Sequence, residues 1–89
     1  MKMEVRVSHN TAFKIREKHN LDCGDVLTVF DADADRVDFR TGETGISFGV
    51  TVSGKAVTVI TVRKGNIRWI KTARLMTNSE KRLFRQGRR

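Results

Sequence analysis

Val57-Thr58-Val59-Ile60-Thr61-Val62-Arg63, then Lys64-Gly65-Asn66, then Ile67-Arg68-Trp69-Ile70-Lys71-Thr72 form two runs rich in β-branched residues around a short glycine-containing connection. That pattern predicts a β-hairpin. Ala73-Arg74-Leu75-Met76 follow, and then Thr77-Asn78-Ser79-Glu80. Thr with Glu three residues later is a capping-box signature, in which the hydroxyl accepts the Glu80 N–H and the carboxylate reaches back to the Thr77 N–H. Lys81 to Gln86 continue as a short basic helix with Leu83 and Phe84 as its apolar contacts. Strand, turn, strand and capped helix are therefore expected over the last third of the chain.

Upstream, Met3, Val5 and Val7 alternate with Glu4 and Arg6, predicting a short first strand at a sheet edge. Ser8, Asn10 and Thr11 compete to cap a helix over Ala12 to His19, with Ala12, Ile15 and His19 on one stripe. Asp22 caps a second helix from Cys23 to Phe30 that buries Val26, Val29 and Phe30. Arg36 to Arg40 alternate with Val37 and Phe39 inward, and Thr41 to Gly45 form a turn. Ile46 to Val52 place Ile46, Phe48, Val50 and Val52 on one face, and Ser53-Gly54-Lys55-Ala56 close the next hairpin. The run from Val57 is apolar on both faces, as a central strand requires. The expected fold class is α+β: an antiparallel β-meander sheet with two N-terminal helices and one short C-terminal helix, the helices covering one face. Residues 1–86 read as a single domain and residues 87–89 as a basic tail that frays.

Charge is the strongest compositional signal. The chain carries a net charge of +8, and it is unevenly spread. Seven acids between Asp22 and Glu43 face only Arg36 and Arg40, whereas ten bases between Arg63 and Arg89 face Glu80 alone. A basic third of this density favours polyanions, nucleic acid first; a solvated surface with an Arg-rich tail is the plainer alternative. At 89 residues the chain buries about 60–65% of its unfolded surface, so a partner or oligomerisation would add stability. The sequence shows neither a signal-peptide pattern nor a membrane-length apolar run, and its lone Cys23 cannot form an internal disulfide, which together favour the cytoplasm and no membrane partner.

Several chemistries lack their residues. Cys23 has no second Cys or suitably spaced His for zinc, and it reads as a buried or capping residue rather than a reactive thiol. Asp31-Ala32-Asp33-Ala34-Asp35 lacks the Gly and downstream Glu of a calcium loop. No metal and no cofactor is expected. A Ser-His-Asp arrangement, a phosphate-cradling glycine loop and a paired-carboxylate site are also missing. RNA cleavage asks for less: the ribose 2′-OH attacks its own phosphate once basic side chains stabilise the charge on phosphorus.

The stretch "ARLMTNSEKRLF" resembles the closing motif of the BrnT-like toxins, small bacterial proteins of the RelE-like ribonuclease superfamily, through Ala73, Arg74, Thr77, Glu80, Lys81, Arg82 and Phe84. "REKHNLDCGDVLTVF" resembles the family's Lys-His element and the amphipathic segment after it. The similarity spans roughly residues 12–86; Phe84 stands where the family usually has Tyr, and Lys71 where an apolar residue is more usual. The resemblance implies a RelE-like fold and the toxin of a type II toxin–antitoxin system, a metal-independent endoribonuclease cleaving RNA by 2′-OH attack. It implies neutralisation by a cognate ribbon-helix-helix antitoxin, with operator DNA bound only through the complex. A non-catalytic binding module of the same fold, or a toxin acting on a protein such as gyrase, are the alternatives.

Arg74, matching the motif and following the last strand, is the first catalytic candidate, with an ion pair to Glu80 as its structural alternative. Arg68, His19 and Glu80 complete the catalytic set. His19 alternatively serves the end of its helix, and Glu80 is a cap first. A Lys of depressed pKa is a further acid–base candidate. Arg63, Lys55, Lys71, Lys81, Arg82 and Arg85 are expected to contact RNA. Arg68 should point opposite to Trp69 and Lys71, so these bases cannot all serve one face. Trp69 is either core or a platform for a base.

Overall fold

A computed structural model describes residues 4–31 and 34–87. Its elements are β1 (Glu4–Arg6), α1 (His9–His19), α2 (Cys23–Leu27), a 3-10 turn (Thr28–Phe30), β2 (Arg36–Thr41), β3 (Thr44–Val50), β4 (Ala56–Lys64), β5 (Ile67–Leu75) and α3 (Asn78–Gly87). The five strands form one sheet in the order β1-β5-β4-β3-β2. β2 to β5 make the expected antiparallel meander, and β1 adds to β5 in parallel, so the sheet is mixed. This is an α+β fold with two N-terminal helices and one C-terminal helix.

Local chemistry explains most boundaries. Ser8 caps α1 by accepting the Thr11 N–H, so the helix starts three residues earlier than the apolar stripe suggests. It ends at Asn20, whose left-handed backbone (φ 52°) lets its N–H bond the Arg16 carbonyl; Asn20 is the C-cap, and His19 is the last helical residue. Asp22 caps α2, which tightens into the 3-10 turn rather than running on to Phe30. The Cys23 thiol is pushed up by burial and by Asp22, the behaviour of a packing residue. The capping box forms as expected: Glu80 N–H reaches Thr77 Oγ1 at 3.2 Å, and Thr77 N–H reaches Glu80 Oε1 at 2.9 Å. Met1 to Met3, Ala32-Asp33 of the Asp repeat and Arg88-Arg89 of the tail lie outside the described residues.

The helices do not share one face of the sheet, contrary to expectation. α1, α2 and the 3-10 turn supply Ile15, Leu21, Val26 and Val29, which pack on Val57, Val59, Ile70 and Ala73 to form the main core. α3 lies on the other face, where Phe84 packs with Phe48 and Met76. A bulge in β5 makes this possible. Ile60 pairs with Thr72 and Thr61 with Ile70, leaving Lys71 as the extra residue. Ile70 and Ala73, three apart, thereby both reach the main core. The strand continues through Ala73-Arg74-Leu75, so Arg74 lies within β5 rather than after it.

β3 alternates as expected but turns its small residues, not its apolar set, toward the main core. Its main-core face is Gly45, Ser47 and Gly49, and the apolar set turns toward α3, which covers Phe48 but leaves Ile46 and Val50 exposed. Phe39, expected inward, is 46% exposed, and Leu83 of α3 is exposed too. Small residues face the core because bulky neighbours already fill it: a Cβ on Gly49 would overlap Val29 Cγ1. Gly49→Ala is therefore expected to cost about 1–3 kcal/mol by overpacking, measured as a lowered urea midpoint at unchanged m-value.

Candidate functional site

On the main-core face, beyond the edge of α2, the sheet is left open. Here β2, β3, β4 and β5 bound a cavity of about 310 Å³ lined by Arg36, Asp38, Arg40, Ser47, Thr61 and Arg68, with Phe30 at its rim. Strand alternation brings these side chains together. Arg36, Asp38 and Arg40 occupy every second position of β2, and Ser47, Thr61 and Arg68 lie on the same face of the next three strands.

Arg68 is the unusual member. Only 6% of it is exposed, and Nη1 donates to Thr61 Oγ1 at 3.1 Å. Its Nε is buried with no hydrogen-bond acceptor among the described residues. Burial, followed by the neighbouring Arg40 and Arg63 charges, pushes the guanidinium below its ordinary pKa, and Asp38 only partly offsets them. Buried charge without a paired carboxylate is costly and calls for an anionic partner. Gly45 makes the position possible, since a Cβ there would sit 2.6 Å from Arg68 Nη1 and 2.9 Å from Thr61 Oγ1.

Asp38 organises the outer wall. Its carboxylate accepts Arg36 Nε at 3.1 Å on both oxygens and the Ser47 hydroxyl at 2.6 Å. Arg36 Nη1 also reaches the Val29 carbonyl at 3.4 Å, and its guanidinium lies 5.2 Å from the centre of the Phe30 ring. The cleft therefore offers the Arg68 and Arg40 guanidinium groups and the Thr61 hydroxyl, while Arg36 and the Ser47 hydroxyl are engaged by Asp38. Such a set binds a phosphate by forked, charge-assisted hydrogen bonds.

The other candidates from the sequence are dispersed. Arg74 and Glu80 meet on the opposite face of the sheet in a bidentate ion pair, with 2.6 Å contacts to each carboxylate oxygen. Glu80 Oε1 also accepts the Thr58 hydroxyl at 3.0 Å and the Thr77 N–H. Arg74 chiefly, with Thr77 and Thr58, holds the Glu80 carboxyl down at about 2, against the opposing effect of burial. The group is a saturated acceptor that ties α3 to β4 and β5.

His19 and Lys71 line a separate cavity of about 240 Å³ with Lys14 and Lys18, between α1 and β5. Arg63 pairs in register with Arg68, but its Nε donates to the Gly65 carbonyl at 3.0 Å. Lys55 lies in the β3–β4 turn, where its charge helps hold the Asp25 carboxyl low, after the larger effect of the Ser53 hydroxyl. Lys81, Arg82 and Arg85 are exposed along α3. Trp69 is half-buried and points away from Arg68, as its register predicts.

Arg36, Asp38, Arg40 and Ser47 were not singled out by the sequence. Their signal was present as Arg-x-Asp-x-Arg, three charges on one face of a strand. It was masked because Val37 and Phe39 look like the inward set, and because the surrounding segment is acidic.

Neither a family model nor a curated protein matches the sequence. Comparison of folds does find a counterpart. The crystal structure of the Brucella abortus ribonuclease toxin BrnT superposes with a TM-score of 0.66 at 16% identity, covering 86% of this chain and 100% of that one. The chain thus has the BrnT-like α+β fold.

Proposed function

We propose that this protein is the toxin of a toxin–antitoxin system and a metal-independent endoribonuclease, with the three-arginine cleft holding the scissile phosphate. The observation that carries the reading is Arg68: a buried guanidinium, unpaired at Nε, facing a cavity in a fold shared with a ribonuclease toxin. In the reaction the ribose 2′-hydroxyl gives up its proton to solvent as its oxygen attacks the adjacent phosphorus, and the 5′-oxygen of the next nucleotide leaves and takes a proton from solvent, giving a 2′,3′-cyclic phosphate and a 5′-hydroxyl. Negative charge accumulates on the non-bridging oxygens. Arg68 and Arg40 stabilise it, and the low dielectric around Arg68 strengthens the effect. Asp38 acts by positioning, fixing Arg36 and the Ser47 hydroxyl at the wall.

The basic residues outside the cleft, Arg63, Lys71, Lys81, Arg82 and Arg85, guide the rest of the strand by charge alone. Such contacts make affinity fall as salt rises. A cognate antitoxin of the ribbon-helix-helix type restrains the activity, and only the complex of the two binds operator DNA.

Expression of the chain in bacteria should arrest growth, and the purified protein should cleave a defined RNA in EDTA to products ending in cyclic phosphate. Growth arrest with intact RNA would move the target to a protein. RNA binding without arrest or cleavage would make the chain a binding module.

A further inference from the structure

The cavity between α1 and β5 gathers cations and no acids. Its lining is Lys14, Ile15, Lys18 and His19 from α1 with Lys71 and Thr72 from β5. Ile15 is buried, His19 and Thr72 are half-buried, and the lysines are exposed. Among the described residues none of the four bases is in an ion pair, whereas Arg6, Arg36 and Arg74 each hold a carboxylate. Lys14 and Lys18 stand one helical turn apart, a like-charge spacing that weakens α1 rather than supporting it. Lys71 is the bulge residue of β5, and a bulge re-aims a side chain that regular alternation would send elsewhere. β1 ends at Arg6, opposite Trp69, so Lys71 and Thr72 lie on a stretch of β5 with no strand on its outer side.

Helix-end electrostatics explain only part of this cluster. Lys18 and His19 sit in the last turn of α1, where cations favour the negative end of the helix dipole. Lys14 is in the middle of that helix and Lys71 is on a strand, so neither gains from it. Uncompensated cations around one hollow repel one another until an anion sits among them. The donors also indicate which anion. Lysine is a point charge that meets a tetrahedral phosphate from any side, whereas a planar carboxylate is matched by the arginine fork, which this cavity lacks. Its volume of about 240 Å³ leaves room for the attached sugar. Lys71 follows Arg68 by three residues, about 10 Å along β5, so the cavity and the arginine cleft are close enough for one strand to reach both. We infer that the cavity is a second phosphate site, taking the backbone of an RNA strand beyond the nucleotide held in the cleft. This rests on the reading of the chain as an RNA-binding protein, but not on cleavage.

His19 reports on the cavity, and His9, the chain's other histidine, lies at the opposite end of α1 as an internal control. The probe is a single-stranded RNA of about twelve nucleotides, 2′-O-methylated so that no cleavage intervenes, titrated into the full chain. Followed by NMR, the imidazole proton signals of His19 should move saturably, and those of His9 far less. Lys14→Gln combined with Lys71→Gln should weaken binding of this RNA about tenfold and lower the slope of log affinity against log salt by about 1.4, the share of two lost phosphate contacts. Both positions are exposed, and circular dichroism checks that the doubly substituted chain is folded. Three results would overturn the proposal: RNA that binds without moving His19, affinity and salt slope unchanged in the double variant, or His19 moved by inorganic pyrophosphate but not by RNA. A polyglutamate peptide that moves His19 at lower concentration than RNA does would assign the cavity to a protein and overturn it as well. Unmodified RNA that moves His19 yet stays uncut would remove the nuclease and keep this site. RNA that is cut while His19 stays unmoved would do the reverse.

Discussion

Replacing Arg68 by Lys should lower RNA cleavage about 100- to 1,000-fold, the usual loss when one donor to a transition-state oxyanion is removed. Lysine keeps the charge, so the expected loss comes from geometry. Arg68 presents a rigid fork, with Nη1 already anchored on Thr61 and Nε buried and unpaired. An ammonium can supply neither that pair of directions nor the same reach. The fall should appear in kcat more than in KM, because the phosphate gains charge only as the reaction proceeds. Gly45→Ala provides an independent test without touching the charge, since the new methyl must displace either the guanidinium or the Thr61 hydroxyl. Both variants would be assayed on a fluorogenic RNA in EDTA, with circular dichroism confirming the fold. Arg68→Lys with wild-type kcat would remove the cleft from the chemistry.

How far the sequence reveals this site depends on what each residue's pattern encodes. The hairpin of β4 and β5, the meander and the capped α3 are local features, and β-branched runs, tight turns and the Thr77–Glu80 box define them within a few residues. Which face of a strand is buried is not local. β3 shows its large apolar residues at Ile46, Phe48 and Val50, yet its main-core side is glycine and serine because Val29 and Arg68 occupy that space from other elements. The bulge at Lys71 is equally hidden: one unpaired residue shifts the facing of everything after it, so Arg68 and Arg74, six apart, point to opposite faces. The closing motif draws attention to Arg74, and the fold pairs that residue with the motif's own Glu80. Arg36, Asp38 and Arg40 become a wall of the cleft only because β2 is added at the far edge of the sheet.

Glu80→Gln should destabilise the protein by about 2 kcal/mol at pH 7 and lower its midpoint by about 10 °C, with nearly all of that difference gone by pH 2. Breaking a fully buried ion pair costs about 3–5 kcal/mol. Here the Arg74 side chain is 37% exposed, so solvent screening reduces the figure. The sign follows from the direction of the shift. The Glu80 carboxyl titrates at about 2 in the folded protein, against an ordinary value of 4.5, so the folded state holds it ionised. Its contribution is complete above about pH 4.5 and is lost as pH falls toward 2. Glutamine can keep the Thr77 and Thr58 contacts in part but cannot draw the Arg74 fork. The acid limb of stability should therefore flatten in Glu80→Gln, and the difference from wild type isolates this group from Asp25, whose carboxyl is also held low. Arg74→Ala should cost at least as much, because it leaves a largely buried carboxylate without its strongest donor. Urea titrations at pH 7, 4, 3 and 2 measure both variants. RNA cleavage per folded molecule then decides what the pair is for: activity retained in Glu80→Gln makes Arg74 and Glu80 the clasp between α3 and the sheet. Activity lost at full folding would bring them into the chemistry, and a parallel acid limb in both proteins would show that Glu80 does not carry it.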